Sequence, residues 1–185
     1  MKYYIGIDNG STGTIGIVDT NGQILLFCLT PTISSLNYQK KKTNITRVDN
    51  IKLYSMLQDF YDYCTESDEK VELVVYIERP MINPGRFTAS LSAARALEST
   101  LVVLEWLADY LDRLSGLTLS TNYIDSKEWQ KKLLGEDIKG SDNLKKASME
   151  LGMTMVDDEA TKKLIKKHGD ADGLLIAKYI QMMGL

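Results

Sequence analysis

The first 29 residues constrain the fold most tightly. Three short runs rich in aliphatic and β-branched residues, at positions 3–7, 15–18 and 24–27, are separated by the Gly-rich stretch Asn9-Gly10-Ser11-Thr12-Gly13 and by Asp19-Thr20-Asn21-Gly22. Turn chemistry of this kind joins neighbouring strands that run in opposite directions. The segment therefore reads as an antiparallel three-strand meander, one that needs helices to cover its faces.

The rest of the chain supplies them. Residues 30–50 are polar, contain Pro31, Lys40-Lys41-Lys42 and Arg47, and show no period, so they read as a flexible loop leading into a helix marked by Ile51, Leu53, Tyr54, Met56, Leu57 and Phe60. Leu73-Val74-Val75-Tyr76-Ile77 is a continuous apolar run ending at Glu78, which suits a strand buried on both faces beside the meander. Pro80, Asn83, Pro84 and Gly85 break the chain, and residues 88–114 then carry Leu91, Ala94, Leu97, Leu101, Leu104 and Leu111 near helical spacing. Residues 117–124 form a further strand candidate. A lysine-rich helical region over about 126–167 is interrupted by Gly135, Gly140 and Gly152, and a last helix runs from about Asp170 to Met183. The sum is a mixed five-stranded α/β sheet flanked by helices. With 185 residues, 44% of them hydrophobic, the chain suits a single domain over 1–185.

Charge and cysteine content narrow the function. The 25 acidic residues outnumber the 22 basic ones, so no global positive field advertises a polyanionic partner. Cys28 and Cys64 stand in unrelated contexts, which gives neither a disulfide framework nor a zinc site and fits a reducing compartment. The N-terminus lacks a signal-peptide pattern and no uninterrupted run approaches the roughly 18 apolar residues of a membrane span. The expectation is a cytoplasmic protein without a membrane partner.

Three acids fall at element ends: Asp8 after the first strand, Glu78 after the apolar run, and Asp172 at the head of the last helix. Two-metal phosphodiester hydrolysis wants such a cluster, because two Mg²⁺ ions about 4 Å apart clamp the attacking and leaving oxygens. Hard cations take oxygen ligands, so three or four carboxylates suffice without histidine or cysteine, and Mn²⁺ fits the same donors. The competing reading is structural: Asp8 and Asp172 as caps, Glu78 paired with Arg79 or a lysine.

The ordered motifs resemble the RuvC-type Holliday junction resolvases of the ribonuclease H-like superfamily, particularly the short forms found in bacteriophages. The matching segments are Gly6-Ile7-Asp8-Asn9-Gly10-Ser11 with Thr14, then Tyr76-Ile77-Glu78 followed by a long Ala-containing helix, then Asp172-Gly173-Leu174-Leu175-Ile176-Ala177. The resemblance implies a ribonuclease H-like fold and a metal-dependent endonuclease that resolves Holliday junctions and other branched DNA in recombination and repair by paired nicks. It also implies two Mg²⁺ ions as cofactor and a homodimer joined through the long helix. One departure stands out: the family's fourth acid lies three residues before the last one, where this chain has Gly169, flanked by His168 and Asp170. On a continuous helix Asp170 lies about 200° from Asp172 and His168 about 40°. Asp170 is the expected fourth ligand, with His168 as the alternative.

The same resemblance sets the expected DNA contacts. Lys127, Lys131, Lys132 and Lys145 fall where resolvases carry a backbone-binding wall, and Met81, Arg86 and Phe87 lie in the loop that opens the junction centre, with Phe87 alternatively the first core residue of the long helix. Further lysine runs at 40–42 and at 162–167 have a solvated helix or loop face as their ordinary explanation. Three rival functions share part of the pattern: a ribonuclease H acting on RNA:DNA hybrids, a noncatalytic junction-binding module, and a fragment of a sugar-kinase/actin-type phosphotransferase, whose first phosphate loop resembles residues 8–14.

Overall fold

The computed structural model describes residues 1–37, 42–65, 70–113 and 118–185. Strands β1 (Lys2–Ile7), β2 (Thr14–Asp19) and β3 (Ile24–Leu29) form the expected antiparallel meander, with Tyr3 opposite Asp19 and Ile7 opposite Ile15. The described residues between 30 and 50 are not a featureless loop. They fold into a separate two-stranded antiparallel ribbon, β4 (Thr32–Leu36) and β5 (Asn44–Val48), in register from Thr32 opposite Val48 to Leu36 opposite Asn44. The period was invisible in sequence because most ribbon side chains are exposed, so neither face selects apolar residues. Its base is anchored: Thr30 N–H donates to Gly13 O, Asp49 N–H donates to Pro31 O, and Val48 is buried. Of the lysine run at 40–42, Lys40 and Lys41 lie outside the described residues, whereas Lys42 is described and exposed.

Helix α1 (Asn50–Thr65) returns to β6 (Glu72–Glu78), which pairs parallel to β1. A short 3-10 turn at Pro84–Arg86 precedes the long helix α2 (Phe87–Arg113), and β7 (Thr118–Ile124) then pairs parallel to β6. Position 114 of the expected helix and position 117 of the expected strand lie outside the described residues. The five-stranded sheet has the order β3-β2-β1-β6-β7, a mixed sheet with helices on both faces. On one face Ile5, Ile7, Ile15, Ile17, Leu73, Val75 and Ile77 pack with Leu53 and Leu57 of α1 and Val103, Leu104, Leu107 and Leu111 of α2. Each such fully buried aliphatic side chain contributes about 1.5–3 kcal/mol. Helix α2 with its leading turn, Pro84–Arg113, does reach the length and apolar composition of a bilayer span, contrary to the expectation from uninterrupted runs. That composition is split between the sheet-facing residues above and an outer face where Leu91 and Trp106 are exposed.

The lysine-rich region resolves into α3 (Ser126–Leu133), α4 (Ser141–Met155) and α5 (Glu159–His168). Gly135 and Gly140 fall in the break between α3 and α4 as expected, but Gly152 does not interrupt anything. It lies inside α4 because a Cβ there would come within 2.3 Å of Ala171 Cβ. The break follows at Val156, and Asp158 caps α5 by accepting from Ala160 and Thr161 N–H. Helix α6 (Asp172–Met183) lies on the second face of the sheet with Leu174, Leu175, Ile176 and Ile180 buried against Tyr4, Val18 and Val74.

Candidate metal centre and its basic flanks

The placement of α6 on the sheet follows from three glycines. A Cβ on Gly6 of β1 would sit 2.3 Å from Gly173 O and Ala177 N, one on Gly16 of β2 would sit 2.3 Å from Leu174 Cα, and one on Gly173 of α6 would sit 2.3 Å from Thr14 O. Backbone thus touches backbone, and Gly173 N–H donates to Thr14 Oγ1 at 2.9 Å. This approach brings Asp172, first residue of α6, beside Asp8, which follows the last residue of β1. Asp170 joins them from the short link between helices: Gly169 ends α5 at a φ of 99°, a left-handed conformation that favours glycine, and turns the chain so that Asp170 points inward. Carboxylate oxygens of Asp8, Asp170 and Asp172 all lie within 4.8 Å of one another.

Burial and neighbouring negative charge raise the proton affinity of Asp8 and Asp172. Asp8 is pushed well above the ordinary carboxylate range, first by burial and then by Asp172, Glu78 and Asp170. Asp172 is raised to about 7 by burial, against the hydrogen bond from Ser148 and with the charges of Asp170 and Glu78 adding to the rise. Buried Ser148 donates its hydroxyl to Asp172 Oδ1 and accepts from Ala171 N–H at 3.0 Å, which ties α4 to the head of α6. Lys145 on the same helix places Nζ 3.4 Å from Asp170 Oδ2. His168 Nε2 lies 3.3 Å from Asp170 Oδ1 without hydrogen-bonding geometry, and both atoms are buried without a hydrogen-bond partner.

Glu78 stands at the end of β6, close enough to add to the rise at Asp8 and Asp172 but outside the group of three. Both its oxygens are taken by α3: Ser126 Oγ donates to Oε1 and Trp129 Nε1 donates to Oε2, each at 2.8 Å. Burial raises its pKa and these two bonds oppose the rise. Sequence reasoning missed Trp129 and Ser148 as site residues, and Ser126 as a partner of Glu78. An indole at one position of a helix looks like ordinary core, and a serine carries no periodic signal.

Convergent acids, one with a buried oxygen that accepts no hydrogen bond, fit a cation, and their all-oxygen donors are those that suit a hard divalent ion. Asp8, Asp170 and Asp172 come together as the candidate ligand set, with Glu78 outside that group. Asp170 and Asp172 do not share a helix, so the choice between Asp170 and His168 is not one of helical angle: His168 ends α5 and Asp170 lies beyond it.

The expected DNA-contacting residues divide. Met81, Lys127, Lys131 and Lys145 line one groove of about 590 Å³ that ends at Asp172, together with Gln130 and Leu144. Lys132, Arg86 and Phe87 are exposed but lie outside that lining, and Phe87 opens α2 at the surface rather than entering the core. Lys131 pairs with Glu136 at 2.7 Å, and in the run at 162–167 Lys162 pairs with Glu159 at 2.9 Å.

No family model matches this chain, and no curated protein does. Among solved structures, Thermus thermophilus RuvC in complex with a Holliday junction substrate superposes with a TM-score of 0.52 at 12% identity, over 98% of this chain and 96% of that one. The Thermus thermophilus RuvC structure gives 0.46 at 11% identity, over 98% and 96%. With its meander, two added parallel strands and helices on both faces, the chain has the RuvC-like, ribonuclease H-like fold.

Proposed function

We propose that residues 1–185 act as one nuclease domain, a metal-dependent endonuclease that nicks branched DNA, four-way junctions included, in the cytoplasm. The observation that carries the reading is the convergence of Asp8, Asp170 and Asp172 within 4.8 Å at the edge of this sheet, beside a lysine-lined groove that ends on Asp172. Asp8, Asp170, Asp172 and Glu78 would hold two Mg²⁺ ions, with Mn²⁺ accepted by the same oxygens. When bound, such ions supply the activation of water and the stabilisation of the leaving 3′ oxygen.

The chain's own residues do the rest. Ser148 orients Asp172, and Ser126 and Trp129 orient Glu78, so that ligands are preset before an ion arrives. Lys127, Lys131 and Lys145 bind backbone phosphates along the groove, and Met81, 78% exposed, offers an apolar surface where bases unstack at a crossover. The outer face of α2, with Leu91 and Trp106 exposed, supports a homodimer that would make paired nicks on a two-fold symmetric junction.

The test is cleavage of a synthetic four-way junction, a fork, a linear duplex and an RNA:DNA hybrid in Mg²⁺ by wild type and Asp8→Asn. Wild type should nick the junction and Asp8→Asn should lose at least about 10²-fold, because a charged ligand of the proposed metal centre is removed. An Asp8→Asn protein that cuts as fast as wild type sinks the assignment, preference for the hybrid would make the chain a ribonuclease H, and junction binding without cleavage in either metal would leave a binding module.

A further inference from the structure

On the sheet face opposite the lysine groove, the β4–β5 ribbon closes over the N-terminal half of α2 and leaves a narrow recess. Its walls are Ser11 from the loop that follows Asp8, Arg47 of β5, and Ser92, Arg95 and Ser99 of α2. Thr46 and the buried Val48 and Ala96 complete the lining, so two arginines and four hydroxyl-bearing residues border one small space. Arg95 Nε donates to Leu91 O at 3.3 Å, which holds the side chain along its helix, and Asn9 Nδ2 donates to Ala93 O at 3.1 Å, which pins the Asp8 loop to the same turn of α2.

Size decides what the recess takes. At about 10 Å³ it has room for one water-sized group and excludes a base or a sugar ring. Guanidinium and hydroxyl donors bordering a single oxygen-sized space match a non-bridging phosphate oxygen. Ser11 lies three residues after Asp8, so an occupant stands near the carboxylate cluster on the flank away from Lys127, Lys131 and Lys145.

We infer that Ser11, Arg47, Ser92, Arg95 and Ser99 form a backbone-phosphate site for the nucleic acid, gripping the strand on the opposite side of the cluster from the lysine groove. The inference rests on the nuclease reading above. It gives the ribbon a role, because only the ribbon brings Arg47 to α2.

The experiment is fluorescence anisotropy of a labelled four-way junction with the full chain in EDTA, across 50–300 mM salt. Arg47→Ala, at an exposed ribbon position that leaves the core intact, and Arg95→Ala should each bind about 10-fold more weakly at the low-salt end and lower the slope of log K against log salt by about 1. Arg47→Lys should restore the slope. Ser92→Ala should weaken binding while leaving the slope unchanged, since no counterion is released by a neutral donor. Mn²⁺ affinity, titrated without DNA, should be the same in all of them. Variants that match wild type in affinity and slope overturn the phosphate site while leaving the nuclease reading intact. A wild-type chain that binds no nucleic acid overturns the nuclease reading itself. Should Arg95→Ala lower the melting temperature, Arg47→Ala alone decides.

Discussion

Replacing Asp172 by Asn should stabilise the metal-free protein while removing its metal response. The Asp172 carboxyl is raised from 3.8 to about 7, chiefly by burial, with Asp170 and Glu78 adding to the rise. A group whose folded pKa is raised takes up a proton on folding, so its contribution is fully present below about pH 4 and is lost as pH rises through about 7. The gap between 3.8 and about 7 corresponds to about 4 kcal/mol lost by pH 8, an upper bound because Asp8 titrates with the same cluster. Asn carries no charge to desolvate, and its Oδ1 still accepts from Ser148, so the cost is removed without breaking the tie between α4 and α6. In EDTA at pH 8 the variant should therefore gain about 3 kcal/mol, on the order of 6–12 °C in melting temperature for a chain of this size. At pH 5, where the wild-type carboxyl is already mostly protonated, the gain should shrink to about 1–2 kcal/mol. Thermal unfolding followed by circular dichroism at both values, with and without 10 mM Mg²⁺, measures this. Added Mg²⁺ should raise the melting temperature of wild type and leave the variant nearly unmoved. A variant no more stable than wild type at pH 8, or equally stabilised at both pH values, would refute the argument that these acids are held against their own charge.

The same geometry makes further predictions. Gly173→Ala puts a Cβ 2.3 Å from Thr14 O; opening that contact to an ordinary distance moves the head of α6 by about 1 Å, which should cost about 1–3 kcal/mol in urea unfolding and about 10²-fold in cleavage rate. Trp129→Phe keeps the buried ring but removes the donor to Glu78 Oε2, so Mn²⁺ affinity measured by calorimetry should fall about 10–100-fold, with circular dichroism unchanged. Because the ligands must lose their protons to take an ion, wild-type Mn²⁺ affinity should rise steeply as pH climbs toward about 7, where Asp172 titrates, and a flat profile would contradict the raised values at Asp8 and Asp172.

Much of this was legible in the sequence because it is written locally. The turns after residues 7 and 18 specify the meander, the apolar run 73–77 specifies a strand covered on both faces, and the acids at 8, 78 and 172 stand at element ends whatever the neighbours do. The ribbon of strands 32–36 and 44–48 was not legible, since two mostly exposed strands have no buried face to impose a period. Gly152 was misread for a related reason. A glycine inside a helix looks like a break until the contact with Ala171 is seen.

The sequence by itself determined which acids exist and on which element ends they sit, together with a sheet able to present them at one edge. Only the tertiary structure decided which of them meet. Asp170 and Asp172 join Asp8 because three glycines let α6 touch β1 and β2 and because Gly169 turns the chain between α5 and α6. Glu78 lies outside that group, and Ser126 and Trp129, about 50 residues downstream, fix the direction of both its oxygens. Close approach of backbones and a hydrogen bond across the sheet are long-range events, and no local pattern of residue types encodes the distance at which they end.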